Sequence, residues 1–241
     1  TVFTPFKNQG YKLEIDKPES LDLNNLIKIN NLGNDFRHYV TNPNILIQGG
    51  RSNGLKQLRK IFSCQDYNDD RNMVSKQTTL LSAYIKFGCL SIREVYWEMK
   101  KIADSHNDQM LSQLFWREFY FYITYYFPRV LQGKNYNQKF DNIKWSTNKT
   151  HFSKWSQAKT GYPIIDSGMI ELNTTGYMHN RARLFTSNFL NRLLNIDWRW
   201  GEKYYASKLT DYDPSVNNGN WQWIASTGVD PKPFNQRLFN P

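Results

Sequence analysis

The sequence predicts an all-α fold. Three observations carry that expectation: two long segments with a helical repeat of apolar residues, a scarcity of strand-type alternation, and the absence of any βαβ rhythm or internal repeat. A chain of 241 residues can bury a substantial core, and it reads as one main domain.

Taken in order, residues 1 to about 45 are rich in Asn, Lys, Asp and Pro with no sustained period, which predicts a linker or docking tail. The texture changes at Gly49-Gly50, so the expected organisation is a tail over 1–48 and a helical domain over 49–241. Thr78-Thr79-Leu80-Leu81-Ser82 precedes a helical run beginning Ala83-Tyr84. Hydroxyls and backbone N–H groups there serve either as ordinary caps or as an anion site suited to a pyrophosphate. From Met110 to Phe127 the apolar positions are 111, 114, 115, 119, 122, 123 and 126, a helical period stopped by Pro128. From Met178 to Leu194 they are 178, 182, 185, 189, 190, 193 and 194, which predicts a second such helix.

Composition narrows the function. Lys and Arg number 31 against 21 acids, a formal charge of +10 that favours polyanionic partners through counterion release. Aromatic residues make up 16% of the chain, and basic plus aromatic is the composition of single-strand or flipped-base binding, or simply of an aromatic-rich core. Two cysteines, Cys64 and Cys89, imply no disulfide framework and a reducing compartment. No apolar run approaches a membrane span and no signal peptide precedes Thr1, so a soluble, intracellular monomer is expected, as a fragment or a processed product. His38, His106, His151 and His179 lack metal-ligand spacing, and there is no Gly-rich nucleotide loop, which argues against a metalloenzyme or a Rossmann dehydrogenase.

Four constellations could carry chemistry. Gln113, Trp116, Arg117 and Tyr120 stand at i, i+3, i+4 and i+7 and share one helix face, either a base-stacking surface or a core-facing stripe. Asn180, Arg183 and Leu184 share a second face, with Arg181 about 100° around the helix, aimed at an outside phosphate or merely solvated. Trp221 and Trp223, two residues apart on a helix, point to nearly opposite sides and are not expected to serve one pocket wall. Asp211 and Asp213 flank Tyr212; if buried they need a cation such as Arg183 or donors on a ligand, and otherwise they are helix N-terminal charges near Ser215.

These segments, met in order as GGRSNGLKQL, Tyr67 with Arg71, TTLLSAYIKFGCLSIRE, FWREFY, WSQAKTGYPIIDSGM, GYMHNRAR, NIDWRWGE, DYDPSVNNGNWQW and FNP, resemble the FAD-binding helical domain of the photolyase and cryptochrome family. The likeness is greatest to class I cyclobutane pyrimidine dimer photolyases. It covers Gly49 to Pro241, and many spaced motifs in the right order are more specific than any one.

The resemblance implies FAD as cofactor and DNA containing pyrimidine dimers as partner. Tyr67, Thr78, Thr79, Leu80, Leu81 and Ser82 would hold the ribityl and phosphates, with Asp211, Tyr212 and Asp213 around the flavin rings. Arg183 would pair with Asp211, Asn217 would face flavin N5, and Arg117 and Met110 would border the cofactor. Trp221, Trp198 and Trp155 resemble the proximal, middle and surface tryptophans of an electron-transfer chain. Gln113 through Tyr120, Trp116 among them, match the lesion pocket with Asn180 and Trp223, while Arg71, Arg181 and Arg237 match phosphate-contacting positions.

Departures from the family pattern accompany the likeness. Gln113 stands where dimer-repair members carry Glu; Tyr177 and Met110 replace Trp, and Leu184 replaces Met. The α/β antenna domain that the family places upstream of Val2-Phe3-Thr4-Pro5-Phe6 and its terminal helices after FNP are missing from the sequence, so an antenna chromophore would need a separate polypeptide. A flavin photoreceptor of the cryptochrome kind, without repair activity, is the competing expectation.

Overall fold

Local signals explain where most helices begin and end. A computed structural model of the chain describes residues 2–19, 42–64, 66–103 and 108–229. Within them the architecture is helical, and an isolated parallel bridge joins Ser146 to Ile196. Helices α1 (Phe3–Gly10), α2 (Arg51–Arg59), α3 (Tyr67–Asp70), α4 (Ser82–Lys86) and α5 (Ile92–Ile102) precede the long α6 (Asp108–Tyr126). Then come α7 (Lys149–Ser156), α8 (Pro163–Thr175), α9 (Asn180–Asn188), α10 (Trp198–Lys208) and α11 (Pro214–Ala225).

Helix α6 ends where Pro128 forces it to, since Phe127 leaves the helical region at φ −130°, ψ 60°. Pro163 opens α8 at its first turn, and the helix stops at Gly176, whose φ of 69° is left-handed. Asp197 caps α10 by accepting from the Arg199 N–H at 3.0 Å. The second long segment departs from expectation: α9 starts at Asn180 because His179 serves as its cap through Nδ1, and a π-turn over Phe189–Leu193 replaces the last α-helical turn.

Of the two forms expected for the N-terminal tail, linker or docking segment, Phe3–Gly10 takes the docked one, as a helix packed on α6. Eight residues are too few to be a stable helix alone, so its signal is tertiary. Phe6 meets Phe119 and Tyr122 edge-on, and Tyr11 meets Phe115.

Two large buried clusters flank the site. One gathers Leu58, Leu81, Leu90, Val95, Met99 and Met110; the other gathers Trp155, Met169, Leu190, Trp198, Tyr205 and Trp221. Helix α11 packs on both α6 and α10, and two glycines allow the approach. A Cβ at Gly201 would lie 2.1 Å from the Trp221 indole, and one at Gly219 2.1 Å from the Tyr120 ring. Both rings therefore occupy space that any other residue would fill.

Candidate functional site

A cavity of about 500 Å³ is lined from both clusters, by Leu81 and Met99 on one side and Met178 and Trp221 on the other. That volume lies within the ordinary range of a cofactor or ligand site.

Its polar wall joins three distant pieces of chain. Arg183 donates to both carboxylate oxygens of Asp211, at 2.9 and 3.1 Å, and through Nε to the Met178 carbonyl at 2.8 Å. The Ser82 hydroxyl donates to Asp211 Oδ2 at 2.7 Å. Burial opposes the charge on Arg183, but Asp211 and Tyr177 outweigh it and hold the guanidinium above its usual pKa. The Asp211 side chain is 5% exposed, so it depends on these donors. Asp213 takes the simpler role, capping α11 by accepting from the N–H groups of Ser215 (3.0 Å) and Val216 (3.2 Å), with Lys86 Nζ 3.4 Å away.

Asn217 is held by its amide nitrogen, which donates to Glu202 Oε1 at 3.0 Å and the Glu202 carbonyl at 3.2 Å. Burial raises the Glu202 carboxyl above the usual range, while hydrogen bonds from Asn217 and Tyr212 pull it partly back.

Next to this wall runs Thr78–Ser82, all five residues bordering the cavity. Leu80 has φ +50° and Leu81 follows at φ −90°, ψ −14°. A positive φ is rare for leucine, so tertiary packing rather than local preference holds this backbone. Gln57 anchors it by donating to the Thr79 carbonyl at 3.0 Å. No side chain caps α4, and the Ser82 hydroxyl goes instead to Asp211, so ordinary capping does not explain these hydroxyls.

The opposite wall is one face of α6. Gln113, Trp116, Arg117 and Tyr120 all border the cavity, as their spacing predicts. Gln113 Nε2 donates to the Gln109 carbonyl at 2.8 Å, and Arg117 pairs with Glu118 at 2.6 Å while lying over the Phe121 ring. Asn180, Leu184 and Arg181 reach the cavity from α9, and Tyr67 and Arg71 from α3 and its C-cap. Arg71 donates to Gln109 Oε1 at 3.1 Å and Arg181 to Asn72 Oδ1, so both cations rest on neutral amides. Burial, then the charge of Arg71, lowers the Arg181 pKa, which marks two cations side by side. Burial likewise raises the Tyr67 phenol.

Several expectations change. Trp221 and Trp223 both border this cavity, the first buried and the second partly exposed, because a cavity this large takes in both edges of α11. Trp155 cannot be a surface residue: it is 0% exposed, its indole N–H donates to the Thr186 carbonyl at 2.9 Å, and its ring lies 6.2 Å from Trp221. Tryptophans that pack on this core while staying partly exposed are Trp145 and Trp200. Trp198 is buried and donates to Asn135 Oδ1 at 3.2 Å. Met110, 2% exposed, packs in the core cluster of Leu58 and Val95 and is not among the cavity-lining residues. Arg237 lies outside the described residues.

Sequence reasoning missed Glu202, Tyr205 and Lys86. Tyr205 borders the cavity with its ring 4.9 Å from Trp221 and its hydroxyl 2.5 Å from that of Thr186. Glu202 sits inside the NIDWRWGE motif, but only its contact with Asn217 distinguishes it from a surface acid. Among the described residues no group of His, Cys, Asp and Glu could hold a metal ion, no helix is long and apolar enough to cross a membrane, and Cys64 and Cys89 are free thiols.

Comparison with known proteins identifies the family. Residues 110–241 match the family described as the FAD binding domain of DNA photolyase. The deoxyribodipyrimidine photo-lyase of Vibrio cholerae is 36% identical over 258 residues, covering 100% of this chain and 54% of that protein. Its Escherichia coli counterpart is 35% identical with the same coverage. An archaeal photolyase from Sulfolobus tokodaii, solved with two FAD molecules, superposes with a TM-score of 0.83 at 37% identity, covering 99% of this chain and 53% of that one. A Synechocystis cryptochrome gives 0.74 at 33% identity, with 83% and 43% covered. The chain thus spans about half the length of the curated relatives it matches first.

Proposed function

The chain belongs to the family of FAD-binding domains of DNA photolyase, and from that premise we propose that it carries out light-dependent repair of cyclobutane pyrimidine dimers in DNA. The observation that supports this reading is one cavity bordered by three features at once: the hydroxyl-bearing segment Thr78–Ser82, a carboxylate–guanidinium pair, and an aromatic helix face.

The residues fit a flavin dinucleotide. Thr78 to Ser82 and Tyr67 would hold its phosphates and ribityl chain, and Arg183, Asp211, Tyr212, Asp213 and Asn217 would surround its ring system. When bound and reduced, FAD would supply light-driven one-electron donation to the dimer. Trp221 and Tyr205 form an apolar wall that keeps water from that site. Trp116 and Trp223 offer ring surface to bases turned out of the duplex, a mode of action general to enzymes of this kind, with Tyr120 packed behind Trp116. Asn180 and the Gln113 amide can hydrogen-bond base edges, but an amide has no transferable proton, so Gln113 stabilises negative charge on the lesion less than an acid would. Arg71 and Arg181 neutralise phosphates beside the extruded bases.

Illumination of the purified, FAD-loaded protein with a dimer-containing oligonucleotide tests the proposal, with restored thymine absorbance as the expected result. A protein that takes up no FAD overturns it. FAD binding and photoreduction without ring opening would favour the photoreceptor reading.

A further inference from the structure

Helix α1 carries a contact that a linker would not need. The Phe3 ring lies parallel to the Trp116 indole, with centroids 3.5 Å apart and an interplanar angle of 8°. Unsubstituted aromatic pairs favour offset or edge-on contacts at 4.5–7 Å, so this full overlap is one the surrounding packing imposes. Phe3 packs against two core clusters at once and meets Phe119 edge-on at 5.7 Å. Trp116 borders the cavity whereas Phe3 is not among the cavity-lining residues, so Phe3 covers indole surface turned away from it. At the other end of α1, Gly10 lies so close to α6 that a Cβ there would stand 2.5 Å from the Phe115 ring. The helix is thereby seated at both ends.

We infer that Phe3 is a positioning residue for lesion recognition: it backs Trp116 and fixes the plane on which an extruded pyrimidine stacks. The inference rests on the proposed repair function. A free indole on the surface of α6 would sample several rotamers, and each base stacked on it would have to order it first. With Phe3 and Tyr120 stacked against it and Phe119 edge-on, the Trp116 indole is held in one orientation at the cavity edge. Phe3 then contributes to discrimination between damaged and undamaged DNA without touching either.

The test compares binding of dimer-containing and undamaged oligonucleotides by the FAD-loaded protein. Phe3→Ala should lower the ratio of the two affinities about three- to tenfold, the range of one aromatic pair, with FAD content and the salt dependence on undamaged DNA unchanged. Phe3→Tyr, which keeps the ring, should restore the ratio. In the Trp116→Ala background Phe3→Ala should have no further effect on it. Gly10→Ala, which pushes on α1 from its far end, should give an intermediate loss. An unchanged ratio in Phe3→Ala, or an equal further drop in the Trp116→Ala background, overturns the inference. A fall in FAD content that accounts for the lost binding reduces Phe3 to a stability role and overturns it equally. If the unaltered protein fails to discriminate, the repair reading itself is what fails.

Discussion

The two walls of the cavity are built in opposite ways. The α6 wall takes Gln113, Trp116, Arg117 and Tyr120 from one stretch of eight residues, in register because a helix repeats every 3.6 residues. The polar wall takes Ser82 from α4, Arg183 from α9 and Asp211 from the loop before α11, and the Ser82–Asp211 bond spans 129 positions of sequence. A wall made from one element survives the loss of any single side chain. A wall made by mutual pairing leaves a buried charge behind when one partner goes.

The comparison breaks first, and hardest, at Arg183. Arg183→Met should cost about 3 kcal/mol of stability, since Asp211 loses its cation at a site where it is nearly inaccessible. Urea denaturation measures the loss, and FAD content should fall with it. Adding Asp211→Leu to that variant should recover part of the stability, though none of the flavin binding. If Arg183→Met is neutral, the polar wall does not depend on pairing and the contrast is lost.

At the α6 wall the expected effect is smaller and confined to binding. Trp116→Ala should weaken affinity for dimer-containing DNA about tenfold, the worth of one stacking platform, with FAD content close to that of the unaltered chain. Loss of flavin in this variant would show that the two walls are one cooperative unit.

Arg181 sharpens the electrostatic part. Arg181→Gln should shallow the log–log salt dependence of DNA binding by about one unit, as for one lost phosphate contact. An unchanged slope would leave Arg181 as the tether of Asn72 alone.

The smallest effect belongs to Glu202 beneath Asn217. Its carboxyl is raised by burial, so the folded chain binds that proton more tightly than the unfolded chain. Stability is therefore highest below the unfolded carboxyl pKa and declines as pH rises through the folded value. Glu202→Gln keeps an acceptor for Asn217 and should remove that decline, so its thermal midpoint should exceed the parent's by a margin that grows from pH 4 to pH 7. Parallel midpoint curves for the two proteins would rule Glu202 out as the titrating group.

What the sequence determined by itself is what local periodicity and spaced motifs encode: the helical class, the run of α6, the shared face of Gln113 to Tyr120, and the likeness to a flavin-binding family that the comparisons bear out. Tertiary structure decided the rest. Trp155 reads as a surface residue by position in a motif and is wholly enclosed; Met110 reads as a cavity residue and lies in a neighbouring core; Phe3–Gly10 shows no helical period of its own and is a docked helix. Asp211 and Asp213 look alike in sequence, yet one neutralises Arg183 and the other caps α11. The physical reason is common to all four cases. A helix face follows from the geometry of successive residues, whereas exposure and ion pairing depend on which distant segments arrive beside them, and that is settled only when the chain packs.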